Sequence, residues 1–479
     1  MKKTVLFAAS EGLPFIKSGG LADVVGSLPQ ALNAQGLEVR VVLPLYKKIA
    51  EKYLDTMESL GAVQITSGLI DREAQYYMAK ANGVTYYFVR QDDYFGRDGL
   101  YGFPDDGERF SFYQLAVLEM LNLIKWYPNI IHSHDWHVGM MPLLCRVRYG
   151  ENKKFAKIKH VYTIHNLAFQ GNFPANVLTD YLGLDYEYFE SGAVRFDGGI
   201  SFMKTGIIYA DKVTTVSPTY ANEILTPQFG EHLDEVLRYR RDDLVGIVNG
   251  IDTKLWDPAT DPCLVQNYDI DTAIEGKLAN KLALQKELGL RVSGDVMLVG
   301  MVARLTNQKG VYLITEKLRD IMGLDVQIAI LGTGEREAED SFKWMESNYK
   351  RRAVYYCGYN DDLAHRIYAG SDLFLMPSIF EPCGIGQLNA MRYGTLPLVR
   401  ETGGLKDTVI PFNQYTGEGN GFSFWAINAD DMFYTLRWAA EQYYLNPLGW
   451  KGLIHNAMSK DVSWEKSSAV YMEMYKNLK

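Results

Sequence analysis

Along the chain the apolar positions fall into short runs, each followed by a glycine-containing turn and then by a stretch of helical spacing. Thr4–Ser10 reads as one continuous buried strand, and beyond the next loop Leu21, Val24, Val25 and Leu28 recur on one helix face. Val39–Leu43 is a second strand, closed by Pro44; Thr85–Val89, Ile130–His132, His160–Ile164 and Lys212–Val216 follow. Such alternation of β-branched runs with helices predicts parallel sheets with crossover helices. A second series begins near residue 245, with strands expected at Met297–Val302, Val326–Leu331, Val354–Tyr356, Leu373–Met376 and Leu396–Val399. Trp464–Leu478 reads as a helix with a tyrosine stripe at Tyr471 and Tyr475.

The fold class expected is therefore α/β, with two doubly wound, Rossmann-like domains facing a central cleft. The turn chemistry of Asn249-Gly250-Ile251-Asp252, with Pro258 and Pro262 beyond it, marks the junction. The expected domains are residues 1–245, residues 246–455 and a C-terminal helical segment, 456–479, returning to the first. In open sheets of this kind ligands lie beyond the carboxyl ends of the strands. The chemistry is expected in the loops that follow them.

Composition narrows the class. A chain of 479 residues with 47% hydrophobic and 22% charged residues is globular and long enough for two cores. The net charge of −9 disfavours a broad nucleic-acid surface but leaves room for basic phosphate pockets. No apolar run reaches the roughly 18 residues of a membrane span. The opening MKKTVLFAAS resembles a short signal peptide, but it meets Glu11 too soon and reads as the first buried strand. The four cysteines form no C-x-x-C pair, which fits a reducing, cytoplasmic setting.

Five loops carry candidate chemistry. In Lys17-Ser18-Gly19-Gly20 the glycines open a helix, whose amides and dipole favour an anion, and Lys17 adds a full charge. The order is neither that of a Walker loop nor the G-x-G-x-x-G dinucleotide fingerprint. Read alone, the loop fits a glycine turn with a solvated lysine equally well. Arg304 and Lys309, five apart after a strand, suit one diphosphate or two exposed cations. Glu381-Pro382-Cys383-Gly384-Ile385-Gly386 places a carboxylate before a glycine-rich helix start, facing either a sugar or the helix dipole. Thr402-Gly403-Gly404 repeats the glycine turn one strand later. In His132-Ser133-His134-Asp135-Trp136-His137 the two nearer histidines share a strand face, yet no further ligand cluster completes a metal site. Asp135 is read instead as an acceptor-hydroxyl ligand. His165, ending the strand His160–Ile164, is either a substrate contact or structural.

Taken together, Lys17–Val24, His134–His137, Thr163–Asn166, Val248–Asp252, Arg304-Leu305 with Gln308-Lys309-Gly310, Glu381–Gly384 and Thr402–Leu405 resemble the bacterial glycogen synthase and plant starch synthase family. Their order matches over nearly the whole chain; residues 45–110 are the least diagnostic. The resemblance implies a retaining glucosyltransferase of the two-Rossmann-domain GT-B type. Its donor would be ADP-glucose and its acceptor an α-1,4-glucan, with no metal and no cofactor. It implies that Lys17, Arg304 and Lys309 meet the diphosphate, as do the Gly19-Gly20 backbone and the amides from Gly384 onward. Glu381, His165 and Asn166 would meet the donor sugar, and Glu11 and Asp135 would lie at the acceptor side. Tyr359 would stack on adenine, and Tyr101 would line the cleft. Ser18, Asp23, Asn249, Cys383, Ile385, Gly386, Thr402 and Gly403 join the binding set by their places in the motifs. Cations on both halves imply closure during turnover. Ser18 stands where threonine is usual, Ile385-Gly386 where Leu-Thr is common, and Phe169 where tyrosine is common. None of these departures removes a charged group. The alternatives are a relative with a small acceptor, of the sucrose or trehalose-phosphate synthase type, and a noncatalytic glucan-binding protein. Oligomeric state is not legible.

Overall fold

A computed structural model describes residues 2–478. Two compact units emerge: one runs to Asn249 and regains the chain from Trp464 onward, and the other is Gly250–Ser463.

The first unit holds β1 (Thr4–Ala8), β2 (Glu38–Pro44), β3 (Glu58–Ser67), β4 (Ile70–Ala81), β5 (Val84–Arg90), β6 (Ile130–His134) and β7 (Lys159–Ile164). A small separate sheet follows, formed by β8 (Asn172–Phe173), β9 (Arg195–Phe196) and β10 (Gly199–Ser201). β11 (Lys212–Thr215) and β12 (Leu244–Gly246) complete the main sheet, whose order is β12-β11-β7-β6-β1-β2-β5-β4-β3. Its central strands are parallel and covered on both faces, so Val5–Ala8 are fully buried and unbroken by polar residues.

Two expectations are corrected here. β1 ends at Ala8, and Ser10 belongs to the loop that follows. The sheet is not wholly parallel either, because β4 runs antiparallel to both β3 and β5. β3 is an edge strand, mostly exposed, with an irregularity between Ser59 and Gly61. A strand that buries little carries a weak hydrophobic pattern, so the hairpin leaves little trace in the sequence.

Helix α1 (Gly20–Ala34) buries Leu21, Val24, Val25, Leu28 and Leu32 on the sheet. Each such side chain contributes roughly 1.5–3 kcal/mol when fully buried. The C-terminal helix Trp464–Asn477 packs along α1, burying Trp464, Tyr471 and Tyr475. Ser467 donates to the Val248 carbonyl at 2.5 Å, which ties the helix to the end of the unit's first segment.

The second unit contains β13 (Met297–Val302), β14 (Val326–Gly332), β15 (Ala353–Cys357), β16 (Leu373–Met376), β17 (Leu396–Arg400) and β18 (Phe422–Phe424). The order is β15-β14-β13-β16-β17-β18, and every pairing is parallel. The three-residue β18 is too short to carry a period.

Candidate active site

In the first unit β7, β6 and β1 are neighbours, so the loops after their carboxyl ends emerge side by side. They carry His165-Asn166, Asp135 and Glu11–Gly20 respectively. The glycine loop is closed upon its own unit. Glu11 is buried, and its carboxylate accepts the Ser18 amide and, at 3.0 Å, the Ser18 hydroxyl. The Gly19 amide also faces it. The Tyr101 hydroxyl lies 2.5 Å from the Ser18 hydroxyl and 3.3 Å from Glu11 Oε1. Burial raises the Glu11 pKa, against the lowering pull of these hydrogen bonds. Lys17 pairs with Asp23 at 2.8 Å, and Gly20 begins α1. The loop's amides and its lysine thus face the chain's own carboxylates.

Asp135 sits at φ 61°, a conformation that costs a non-glycine residue of order 1–3 kcal/mol. That backbone turns its carboxylate onto the β7 loop, where Oδ1 accepts the His165 amide at 2.8 Å and the Asn166 amide also faces the group. Burial pushes the carboxyl up to about 7. His165 is buried, and its Nε2 lies 3.0 Å from His134 Nδ1. Burial pushes its imidazole down to about 3, so the ring is neutral. Asn166 turns its side chain onto the Ala168 amide at 3.1 Å. Asn249, at the end of the unit's first segment, has a buried Oδ1 with no hydrogen-bond partner among the described residues.

In the second unit β13, β16 and β17 are neighbours, and their loops converge. Lys309 donates to Glu381 Oε2 at 2.5 Å, and Ser378 donates to the same oxygen at 3.0 Å. Gly310, at φ 68°, lies so close to the Pro377 carbonyl that a Cβ would come within 1.9 Å of it. Only glycine lets the lysine loop reach the carboxylate loop. Gly403 repeats the device: at φ 43° its Cβ would lie 1.9 Å from the Glu381 carbonyl. Thr402 stands immediately before the short helix that Gly403 opens. Arg304 is exposed and forms no ion pair or side-chain hydrogen bond among the described residues. Cys383 is buried, and its carbonyl and that of Gly384 accept from the Gln387 side chain. Ile385 precedes the helix opened by Gly386, which has no side-chain cap. Tyr359 follows β15, two strands from β13, and is 74% exposed.

Several supporting residues escaped the sequence reading. Buried Arg400 donates to the Ser378 and Ile379 carbonyls and shapes the Glu381 loop. Glu335 accepts the Asn307 amide at 2.9 Å and the Tyr312 hydroxyl at 2.6 Å, holding the Arg304–Lys309 turn. Only the position of Glu335 just after a strand could have signalled it. Among the described residues, the one group close enough to hold a metal is Asp261, Cys263 and His365 in the second unit. Its Asp261 carboxylate is already engaged by His365, Tyr393 and the Cys263 amide. Burial and nearby carboxylates push the Cys263 thiol up to about 11, away from the thiolate a metal needs. These contacts are those of a hydrogen-bonded core.

Two Rossmann-like units, with cation-bearing glycine turns at the carboxyl ends of their strands, define a GT-B glycosyltransferase. The starch synthase catalytic domain family matches residues 4–239, and the glycosyl transferases group 1 family matches residues 289–442. A glycogen synthase of Bacillus cereus (strain Q1) is 49% identical over 474 residues, covering 99% of each chain. One from Desulforamulus reducens is 48% identical over 474 residues, covering 99% of this chain and 98% of its own. The solved catalytic domain of starch synthase IV from Arabidopsis thaliana, bound to ADP and acarbose, superposes with a TM-score of 0.91 at 34% identity, covering 100% of this chain and 99% of that one. Sucrose-phosphate synthase from Thermosynechococcus elongatus shares the fold, with a TM-score of 0.60 at 17% identity, covering 100% of this chain and 99% of that one. The chain belongs to the glycogen synthase and starch synthase family.

Proposed function

We propose that the chain transfers glucose from ADP-glucose to the nonreducing 4-hydroxyl of an α-1,4-glucan, with retention of configuration, in glycogen biosynthesis. The observation that carries this reading is the second unit's convergence of Lys309, Glu381 and the Gly403 turn at neighbouring strand ends. A purely glucan-binding protein has no need of a lysine–carboxylate pair with an exposed Arg304 five residues before the lysine. A small-acceptor enzyme of the sucrose-phosphate synthase type shares the fold, but the relatives at 48–49% identity favour the polymer acceptor.

Arg304 and Lys309 neutralise the departing diphosphate, aided by the amides at the helix opened by Gly386 and by Lys17. Such preorganised charge is the largest expected contribution to the rate. Lys309 exchanges its ion pair with Glu381 for a phosphate oxygen, which frees the carboxylate to accept sugar hydroxyls. His165 and Asn166 contact the donor sugar, Asp135 and Glu11 border the acceptor, and Tyr359 stacks on adenine. Because Glu381 is held from the lysine side and by Ser378, it is assigned to the hydroxyls rather than to nucleophilic attack. The acceptor attacks on the face the phosphate leaves, and the leaving phosphate takes the acceptor proton. Four free cysteines fit a cytoplasmic site of action.

Incubation with glycogen and either ADP-glucose or UDP-glucose tests the reading, with released nucleotide and chain extension measured together. Extension with ADP-glucose, undiminished by excess chelator, is expected. Nucleotide release without glucan extension would sink the acceptor assignment, and activity restored only by magnesium would sink the metal-free one.

A further inference from the structure

β6 ends in two histidines, His132 and His134, on one face of the sheet. Both are fully buried, and their rings stack with centroids 4.2 Å apart. Phe7 of β1 packs against both, at 4.9 and 4.7 Å. From this stack three hydrogen bonds lead outward. His134 Nδ1 meets His165 Nε2 at 3.0 Å. His132 Nδ1 meets the Tyr475 hydroxyl of the C-terminal helix at 2.6 Å, and its Nε2 meets Thr163 at 2.5 Å. A line of contacts therefore runs from the last turns of the chain to the ring at the end of β7.

We propose that His134 is a positioning residue that fixes His165 in the tautomer protonated on Nδ1, with Tyr475 steadying the stack from its far side. Proton accounting carries this. Burial lowers the pKa of all three imidazoles, so each ring carries a single proton. One proton lies between His134 Nδ1 and His165 Nε2. If His165 supplied it, the proton of His134 would sit on Nε2, which is buried without a hydrogen-bond partner. If His134 supplies it, that Nε2 is a bare lone pair. Buried N–H groups left without an acceptor are rarer than under-satisfied acceptors, as backbone amides and carbonyls show. The second arrangement holds, and it leaves His165 with Nδ1–H as a donor. The ring then offers a sugar oxygen a proton rather than a lone pair. The hydrogen bond from the His165 amide to the Asp135 carboxylate fixes the backbone beneath that ring, and the His134 bond fixes its proton.

The kinetic half of this inference rests on the reading that His165 contacts the donor sugar; the tautomer half does not. Ring-nitrogen NMR shifts of histidine-labelled protein, assigned with His165→Asn, should show His165 protonated on Nδ1. Protonation on Nε2 in the wild-type protein would overturn the proposal. His134→Phe keeps the stack and removes the donor, and should lower kcat about tenfold while the donor KM stays within about twofold. His134→Asn places an amide N–H where Nδ1 stood and should recover most of that loss. Tyr475→Phe should cost about threefold in kcat, the value of a loosened neutral hydrogen bond. A wild-type kcat in His134→Phe, or failure of His134→Asn to exceed His134→Phe, overturns the positioning role. Full activity in His165→Ala would overturn the donor-contact reading, and the NMR result would still decide the tautomer by itself.

Discussion

At the start of the first unit Lys17 faces Asp23, and the amides of Ser18 and Gly19 face Glu11. In the second unit Lys309 faces Glu381, yet Arg304, five residues earlier, stands exposed without an ion pair among the described residues. Both regions carry a lysine and a glycine turn at a strand end, and in sequence they look like equivalent phosphate sites. Folded, the first has its lysine and its glycine-turn amides engaged by its own carboxylates, while the second leaves Arg304 without an ion pair among the described residues. A glycine turn with a lysine therefore signals an anion site, and the anion can be internal.

That difference can be broken by experiment, most severely in the second unit. Lys309→Ala and Glu381→Ala should each lower kcat about 10²–10³-fold with the fold intact, the cost of losing a preorganised group at developing charge. Near-normal rates in steady-state assays of either would remove the second unit from the chemistry. Lys17→Ala should cost less, about 10–100-fold in kcat/KM, as for one charge-assisted hydrogen bond. Losses as large as those of Lys309→Ala would erase the distinction between the two loops.

A stability measurement addresses the first unit. The Asp135 carboxyl titrates at about 7 in the fold, against about 3.9 in an unfolded chain. The folded state thus binds the additional proton between these values, so stability present at pH 4 is lost as pH rises through 7. Asp135→Asn should flatten that fall in Tm by calorimetry, an effect of up to roughly 4 kcal/mol across the window. An unchanged pH slope would mean that the carboxyl is not held protonated. The smallest effect is expected from Glu11→Gln, which keeps the loop's shape and removes the competing charge. ADP binding should tighten about threefold by titration calorimetry, the scale of one charge at a helix start. Weaker binding would show that Glu11 assists the donor rather than standing in for it.

The interior strands were legible because strands covered on both faces must be continuously apolar, as Val5–Ala8 and Met297–Met301 are. The edge hairpin β3–β4 was not, because an exposed edge escapes that demand. Polar His132 and His134 also hide in the core, since their rings find hydrogen bonds and stacking there instead of water.

By itself the sequence determined the α/β class, the turns at strand ends and the residue types able to hold a diphosphate. Each depends on local period or on the chemistry of adjacent residues. Only the tertiary structure decided which carboxylate occupies which cation, that Arg400 and Glu335 hold the Glu381 and Lys309 loops, and that Tyr475 reaches the stack beside His165. Those pairings join residues far apart in the chain, as Lys309 and Glu381 are. No local pattern encodes a partner that arrives only when neighbouring strands bring their loops together.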